Sequence, residues 1–342
     1  MGALRRVLKY TLGAGAVAVG GTAAFLQYSH MQMGKPGSEF KAGDWTIFVP
    51  TRGLSRAWGT FTNTELPELI RVPFLKTYAW MFNCKLNESE RPIESYPTLA
   101  KFFTRNLVDG ARPIDTKAPL VSPADSKIMA LGQCDTTEEE SNLLVEQVKG
   151  VTYSVKSVLA RKTPVPISPQ KRLYYAVFYL APGDYHGFHS PSDVTFSERI
   201  HVFGQLLPVW TAFVRNIPGL FALNERVVLQ GRWDHGYMGY IAVGATNVGS
   251  IRINFDPDLR TNVLSHEVQR QMKDVGVKGA DEIDVVDVSS LPMVKCKKGE
   301  NVGFFHLGST IVLLFEAPKD FVWTVNAGDT VKYGQAIMAK RT

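Results

Sequence analysis

Ser309 stands in the run Leu307-Gly308-Ser309-Thr310, between Phe304-Phe305-His306 and the apolar stretch Ile311-Val312-Leu313-Leu314-Phe315. Gly308 lacks a Cβ, so it can take backbone angles closed to other residues and let the Ser309 hydroxyl approach the Gly308 carbonyl. Attack there would turn the peptide into an ester. β-Elimination would then split the chain and leave residue 309 as a pyruvoyl group, whose carbonyl can condense with amines. Two other segments carry chemistry-bearing side chains. Val121-Ser122-Pro123-Ala124-Asp125-Ser126-Lys127-Ile128 sets an acid in a turn flanked by strands, where an orienting carboxylate could be held. Tyr185-His186-Gly187-Phe188-His189-Ser190-Pro191 sets two histidines just past a strand. Each has a plainer reading: a turn entering a buried strand, an aspartate bonding its own backbone, a structural histidine. His186-x-x-His189 is also half a metal site, but no third ligand stands at an informative spacing, so no metal is expected.

The elements that must position these residues are mostly strands. From about residue 116 to the carboxyl terminus, short β-branched and aromatic runs alternate with glycine and proline, which predicts a β-rich domain. Tyr174 to Leu180 reads as a buried strand leading into the histidine segment. Leu206 to Leu223 is apolar but broken by Pro208 and Pro218, and reads as core. Ala327-Gly328-Asp329-Thr330-Val331-Lys332-Tyr333-Gly334-Gln335-Ala336 resembles the turns of barrel-sandwich domains, without the lysine of a swinging-arm carrier. Residues 41–115 instead show helical spacing at Leu66, Leu69, Ile70, Phe74, Tyr78 and Met81, with Ser95-Tyr96-Pro97-Thr98 opening a further helix. The expected fold class is α+β, a small helical region followed by a barrel-sandwich-like catalytic domain over 116–342.

Residues 1–40 read as a membrane anchor and linker. The uncharged run Tyr10 to Leu26 follows Arg5, Arg6 and Lys9, and no acid precedes Glu39. A single span is the favoured reading, with a secretory signal or part of a mitochondrial import signal as competitors. The basic leader would keep its own end inside and leave the body across the membrane. With 342 residues, 45% hydrophobic and 20% charged, the remainder has the make-up of a globular protein rather than a disordered one. A net charge of +6 suits an anionic membrane surface. The basic residues are scattered, so no nucleic-acid partner is expected. Cys84, Cys134 and Cys296 have no paired spacing and read as core thiols, not as disulfides or zinc ligands.

Taken together, Ser-Pro-Ala-Asp125, the Tyr185-His186-x-x-His189-x-Pro191 box, Asn224-Glu225-Arg226-Val227, Val243-Gly244-Ala245-Thr246 and Leu307-Gly308-Ser309-Thr310 resemble the phosphatidylserine decarboxylases, in order, from about Trp45 onward. Within that family the likeness is to the mitochondrial, animal-type proenzymes. Ser126 departs from the glycine that bacterial members usually have after the aspartate. The resemblance implies that Ser309, His189 and Asp125 form a self-cleaving triad, in which histidine takes the serine proton and the carboxylate orients and stabilises the histidine. Cleavage between Gly308 and Ser309 would give a β chain 1–308 and an α chain 309–342 that stay together as a heterodimer. The pyruvoyl group formed from Ser309 would replace pyridoxal phosphate as the electron sink. It would turn phosphatidylserine from the phospholipid membrane into phosphatidylethanolamine and carbon dioxide, with His186 as acid or carboxylate contact. The implied location is the mitochondrial inner membrane, single-pass, with the body facing the intermembrane space. Two other classes compete: a membrane-tethered serine hydrolase with the triad intact, and a non-catalytic barrel-sandwich module that binds lipid or protein.

Overall fold

The strand that begins at Ser309 is buried on both faces. Ile311, Leu313, Phe315 and Ala317 enter one apolar cluster, while Val312 and Leu314 enter a second on the other side. Successive side chains of a strand point to opposite faces, so a strand covered on both sides reads as an unbroken apolar run. The neighbouring strand repeats the pattern: Tyr174, Ala176, Phe178 and Leu180 join the first cluster, and Leu173, Tyr175 and Val177 the second.

The computed structural model describes residues 51–134, 144–148, 151–161, 165, 167–209, 214, 217, 219–246, 250–262, 286–306 and 309–341. The helical region holds α1 (Thr51–Asn63), α2 (Glu68–Met81) and α3 (Leu99–Phe103). Then come β1 (Leu120–Val121), β2 (Ser126–Gln133), β3 (Leu144–Val148), β4 (Val151–Ser154), a short helix α4 (Val155–Leu159), β5 (Lys171–Leu180) and β6 (Gly187–His189). After β7 (Val194–Val202) and α5 (Leu220–Leu223) follow β8 (Arg226–Trp233), β9 (Gly236–Val243), β10 (Ile251–Ile253), β11 (Val286–Cys296) and β12 (Asn301–Phe305). The chain closes with β13 (Ser309–Pro318), β14 (Phe321–Trp323), β15 (Thr330–Val331) and β16 (Ala336–Lys340).

Eight strands form one sheet in the order β11-β7-β8-β9-β13-β5-β2-β15, antiparallel throughout. Smaller sheets, β1-β16-β14 and β10-β12-β6, flank it. The class is α+β, as expected, but a large antiparallel sheet with a core on each face fits a barrel-sandwich only loosely. Leu206, Leu207, Val209, Val214, Ile217, Leu220 and Phe221 are buried, so the proline-broken stretch is core.

Helix α3 opens at Thr98, whose hydroxyl accepts the Lys101 amide N–H at 3.2 Å and satisfies a donor left without a helical partner. Its Leu99, Phe102 and Phe103 pack with Leu75, Tyr78 and Ala79 of α2 in a third cluster. The α2 face differs from the expected one. Leu69 is 91% exposed, and Ile70 and Met81 are exposed too, because α2 buries only the stripe through Leu75, Tyr78 and Ala79. Cys134 and Cys296 are core thiols, whereas Cys84 is only partly buried. Among the described residues no helix is long and apolar enough to cross a membrane, and the expected span at 10–26 lies outside them.

Candidate active site

Ser309 is the first residue of β13 and pairs with Leu180, the last of β5. It is fully buried, and its Oγ has no hydrogen-bond partner, as is also true of Thr310 Oγ1. A buried polar atom left unpaired costs free energy, so such an atom in a well-formed core calls for a functional explanation. Gly308 lies outside the described residues. The Asn224-Glu225-Arg226-Val227 and Val243-Gly244-Ala245-Thr246 segments brace this end of the sheet. Asn224 Nδ2 donates to the Leu207 and Gly244 carbonyls at 2.9 and 2.8 Å, and Val243 pairs with both Arg226 and Thr310. These motifs therefore hold the strand that carries Ser309.

Both histidines are bonded to main-chain carbonyls, which settles their tautomers. His189 Nδ1 lies 2.8 Å from the Gly299 carbonyl oxygen and must carry the proton, leaving the Nε2 lone pair as acceptor. That nitrogen receives the Tyr185 hydroxyl at 3.2 Å and Asn301 Nδ2 at 3.4 Å. Gly299 has φ +81°, open to glycine and strained for other residues, and a Cβ there would meet Ile114 at 2.7 Å. Gly187 is also required, because a Cβ would meet the Tyr185 hydroxyl at 2.2 Å. Burial pushes His189 down to about 4, against the upward pull of the Gly299 carbonyl and the Asp125 charge. His189 is thus a neutral imidazole at pH 7 with a basic Nε2.

His186 is built the same way. Its Nδ1–H donates to the Asp184 carbonyl at 2.9 Å, and its Nε2 is buried with no partner. Burial lowers it to about 4, and the edge of Phe103 from α3 packs on its ring at 5.1 Å. The helical region thereby supplies a wall of the site. Tyr78 and Arg105 anchor that wall by donating to the Pro182 and Gly183 carbonyls at 3.0 and 3.4 Å.

Asp125 is 1% exposed and surrounded by cations. Arg112 Nε and Nη2 donate to its two oxygens at 3.0 and 2.6 Å, Lys332 Nζ at 3.0 Å, and the Tyr333 amide at 3.0 Å. Burial alone would raise its pKa, but Arg112 and Lys332 hold it below the usual carboxylate range, so it is ionised. The expected direct hydrogen bond from His189 to Asp125 is not formed: the carboxylate accepts from Arg112, Lys332 and the Tyr333 amide, and the His189 Nδ1–H donates to the Gly299 carbonyl. The connection runs through Tyr333, whose amide is held by Asp125 and whose ring stacks on His189 at 3.7 Å with planes 1° apart. Nor does His189 hydrogen-bond Ser309, whose Oγ is bonded to nothing. Arg112 and Gly299 carry no local signal in the sequence, and Lys332 and Tyr333 stand there only inside a turn.

A buried serine at a strand start, two neutral histidines, of which His186 has an unpartnered Nε2 and His189 an Nε2 that accepts from Tyr185 and Asn301, and one ionised carboxylate are groups suited to proton transfer. Comparison with known proteins places the chain in a family. The sequence model described as Phosphatidylserine decarboxylase matches residues 99–339. A Pongo abelii protein named "Phosphatidylserine decarboxylase proenzyme, mitochondrial" is 41% identical over 348 residues, covering 93% of this chain and 81% of its own. The Caenorhabditis elegans protein of the same name is 39% identical, covering 86% and 74%. A Schizosaccharomyces pombe "Phosphatidylserine decarboxylase proenzyme 1, mitochondrial" is 37% identical, covering 85% and 82%. With residues 99–339 matched by the family model and most of the chain matched by these relatives, the protein belongs to the phosphatidylserine decarboxylase family and is a carboxy-lyase.

Proposed function

We propose that the chain is a proenzyme that cuts itself between Gly308 and Ser309, and that the pyruvoyl group so formed serves conversion of phosphatidylserine to phosphatidylethanolamine and carbon dioxide. The observation that carries this reading is the buried, unpartnered Ser309 Oγ. A hydrolase serine must meet an external ester, whereas a fully buried one is suited to attack its own chain. The naming of the relatives as proenzymes supports it too. In the first step His189 Nε2 takes the Oγ proton, Oγ bonds to the Gly308 carbonyl carbon, and the amide nitrogen leaves with that proton. Loss of the residue 309 α-proton then breaks the ester C–O bond and releases the Gly308 carboxylate. Tautomerisation and hydrolysis with one water expel ammonia and leave the keto group.

The surroundings of Ser309 fit such a group, because Ser309 and Thr310 are fully buried at the start of β13, opposite the buried Leu180, with both hydroxyls unpartnered. When present, the group supplies an electron sink at the amine-bearing carbon of the substrate. The chain's own residues handle the protons. His186 Nε2 takes a proton from the substrate ammonium and returns it to the carbon that has lost carbon dioxide. Its Nδ1–H stays on the Asp184 carbonyl. Asp125, ionised and tied to Arg112 and Lys332, fixes Tyr333 against His189.

The β chain 1–308 and α chain 309–342 remain paired, since β13 lies between β5 and β9. Residues 1–40 act as anchor and linker, 41–115 as the helical region and 116–342 as the catalytic domain. The location is the mitochondrial inner membrane, single-pass, with the body in the intermembrane space. An intact mass of the purified protein is the test. Two fragments should appear, the smaller being residues 309–342 with a keto-acyl end, and Ser309→Ala should stay whole. An active but uncut wild-type chain would overturn the reading.

A further inference from the structure

Outside the proton-transfer site, a pocket of about 470 Å³ opens between the helical region and the β10-β12 edge. Arg91, Lys101, Arg105 and Arg252 line it with His306, and its single acid, Glu90, is held by Asn106 Nδ2 at 3.1 Å. Among the described residues Arg91, Lys101 and Arg252 form no ion pair. Arg105 is 4% exposed, lies over the Phe102 ring and donates only to the Phe102 and Gly183 carbonyls, with its Nε unpartnered. A buried guanidinium with no carboxylate bonded to it, beside three cations without ion pairs, is a strong reason to expect an anion. Burial and the charges of Arg252 and Lys101 hold His306 below its ordinary value, so it adds no charge of its own.

We infer that this pocket takes the phosphodiester of the phospholipid headgroup, a deepening that rests on the proposed decarboxylation. Position supports it. His306 is three residues from Ser309, and three residues span at most about 11 Å. In a serine headgroup only one oxygen and two carbons separate the phosphorus from the amine nitrogen. Helix α3 and the residues just after it tie the two sites together, because Phe103 packs on His186 while Lys101 and Arg105 line the pocket. Charge also separates the substrate's two anions. A cationic pocket would stabilise the carboxylate in the ground state and oppose its loss, so that group belongs beside neutral His186. The phosphodiester keeps its charge throughout the reaction, and arginine suits it because its planar fork matches phosphate oxygens.

The test uses the full chain in detergent micelles with Arg252→Gln, Lys101→Gln and Arg252→Lys, at exposed positions where folding is not at stake. With phosphatidylserine in mixed micelles, each glutamine variant should raise KM about five- to tenfold while kcat at saturation falls far less. Arg252→Lys, which keeps the charge but not the fork, should recover part of the loss, and all variants should be cut like wild type. Calorimetric binding of glycerophosphoserine to uncut Ser309→Ala protein gives a readout free of turnover. Binding should be lost when Arg252→Gln is added. Unchanged KM together with unchanged glycerophosphoserine binding would overturn the inference. Competition by inorganic phosphate as strong as by glycerophosphoserine, with KM for lipid unaltered, would make this a phosphate-ion site and overturn the headgroup assignment. Arg252-dependent binding of glycerophosphoserine by a wild-type protein that forms no phosphatidylethanolamine would uphold the pocket and sink the decarboxylase reading.

Discussion

The acid dependence of self-cleavage follows from how His189 is buried. If neutral His189 is the base, the rate tracks its unprotonated fraction. An imidazole at the ordinary value near 6.5 is neutral in only about one molecule in ten at pH 5.5, whereas one held at about 4 is almost wholly neutral there. The two cases differ about tenfold in rate at pH 5.5, well outside experimental scatter. The expected profile is therefore flat from pH 8 to about 5.5 and falls roughly tenfold per unit only below about 4. The assay is cell-free synthesis of radiolabelled chain, arrest of translation, a jump into buffers from pH 4 to 8, and loss of the full-length band on a gel. Folding must be followed in parallel by tryptophan fluorescence, since the same burial acts on stability. The folded values of His186 and His189, both about 4, lie below the unfolded value near 6.5, so the unfolded chain binds more protons between them. The cost is absent above about pH 6.5 and grows as pH falls towards 4, reaching on the order of 3 kcal/mol per histidine. A midpoint for cleavage near 6.5 in a chain that is still folded would refute the burial argument. A rate that keeps rising with pH past 8 would point to a different base.

Asp125→Asn should slow cleavage strongly and lower stability by on the order of 2 kcal/mol, because the buried Arg112 loses one of its two carboxylate partners and keeps only Glu88. Thermal unfolding and the gel assay measure the two effects. Tyr333→Leu keeps the backbone amide on Asp125 but removes the stack on His189, so it should slow cleavage with little change in melting temperature. Wild-type cleavage in this variant would mean that Asp125 reaches His189 in some other way. Mature His186→Ala, incubated with phosphatidylserine and borohydride, should trap lipid on residue 309 yet form little phosphatidylethanolamine. Normal turnover would reduce His186 to packing. Deletion of residues 1–40 should release the protein from carbonate-washed membranes with cleavage intact, as judged by the pellet and the fragment sizes.

Much of the site was legible in the chain itself, because its signals are local. A glycine-serine step before a two-faced apolar run marks a turn into a buried strand, and β13 begins at Ser309 with that burial. The run at 174–180 and the capped helix after Thr98 were legible for the same reason: periodicity and capping act within a few residues. How far α2 is covered depends on what packs against it, so spacing alone assigned Leu69 and Met81 to a buried face that they do not occupy. The partners of the reactive groups were also beyond local reading. His189 is held by a carbonyl 110 residues away, and Asp125 by an amide 208 residues away. Neither contact leaves a pattern in nearby residues, since any glycine turn offers a carbonyl and any residue but proline an amide. Only the docking of the β15–β16 turn beside the β1–β2 turn brings Tyr333 between Asp125 and His189. Chain chemistry determined which side chains could react; tertiary packing decided their protonation, their tautomers and what holds each of them in place.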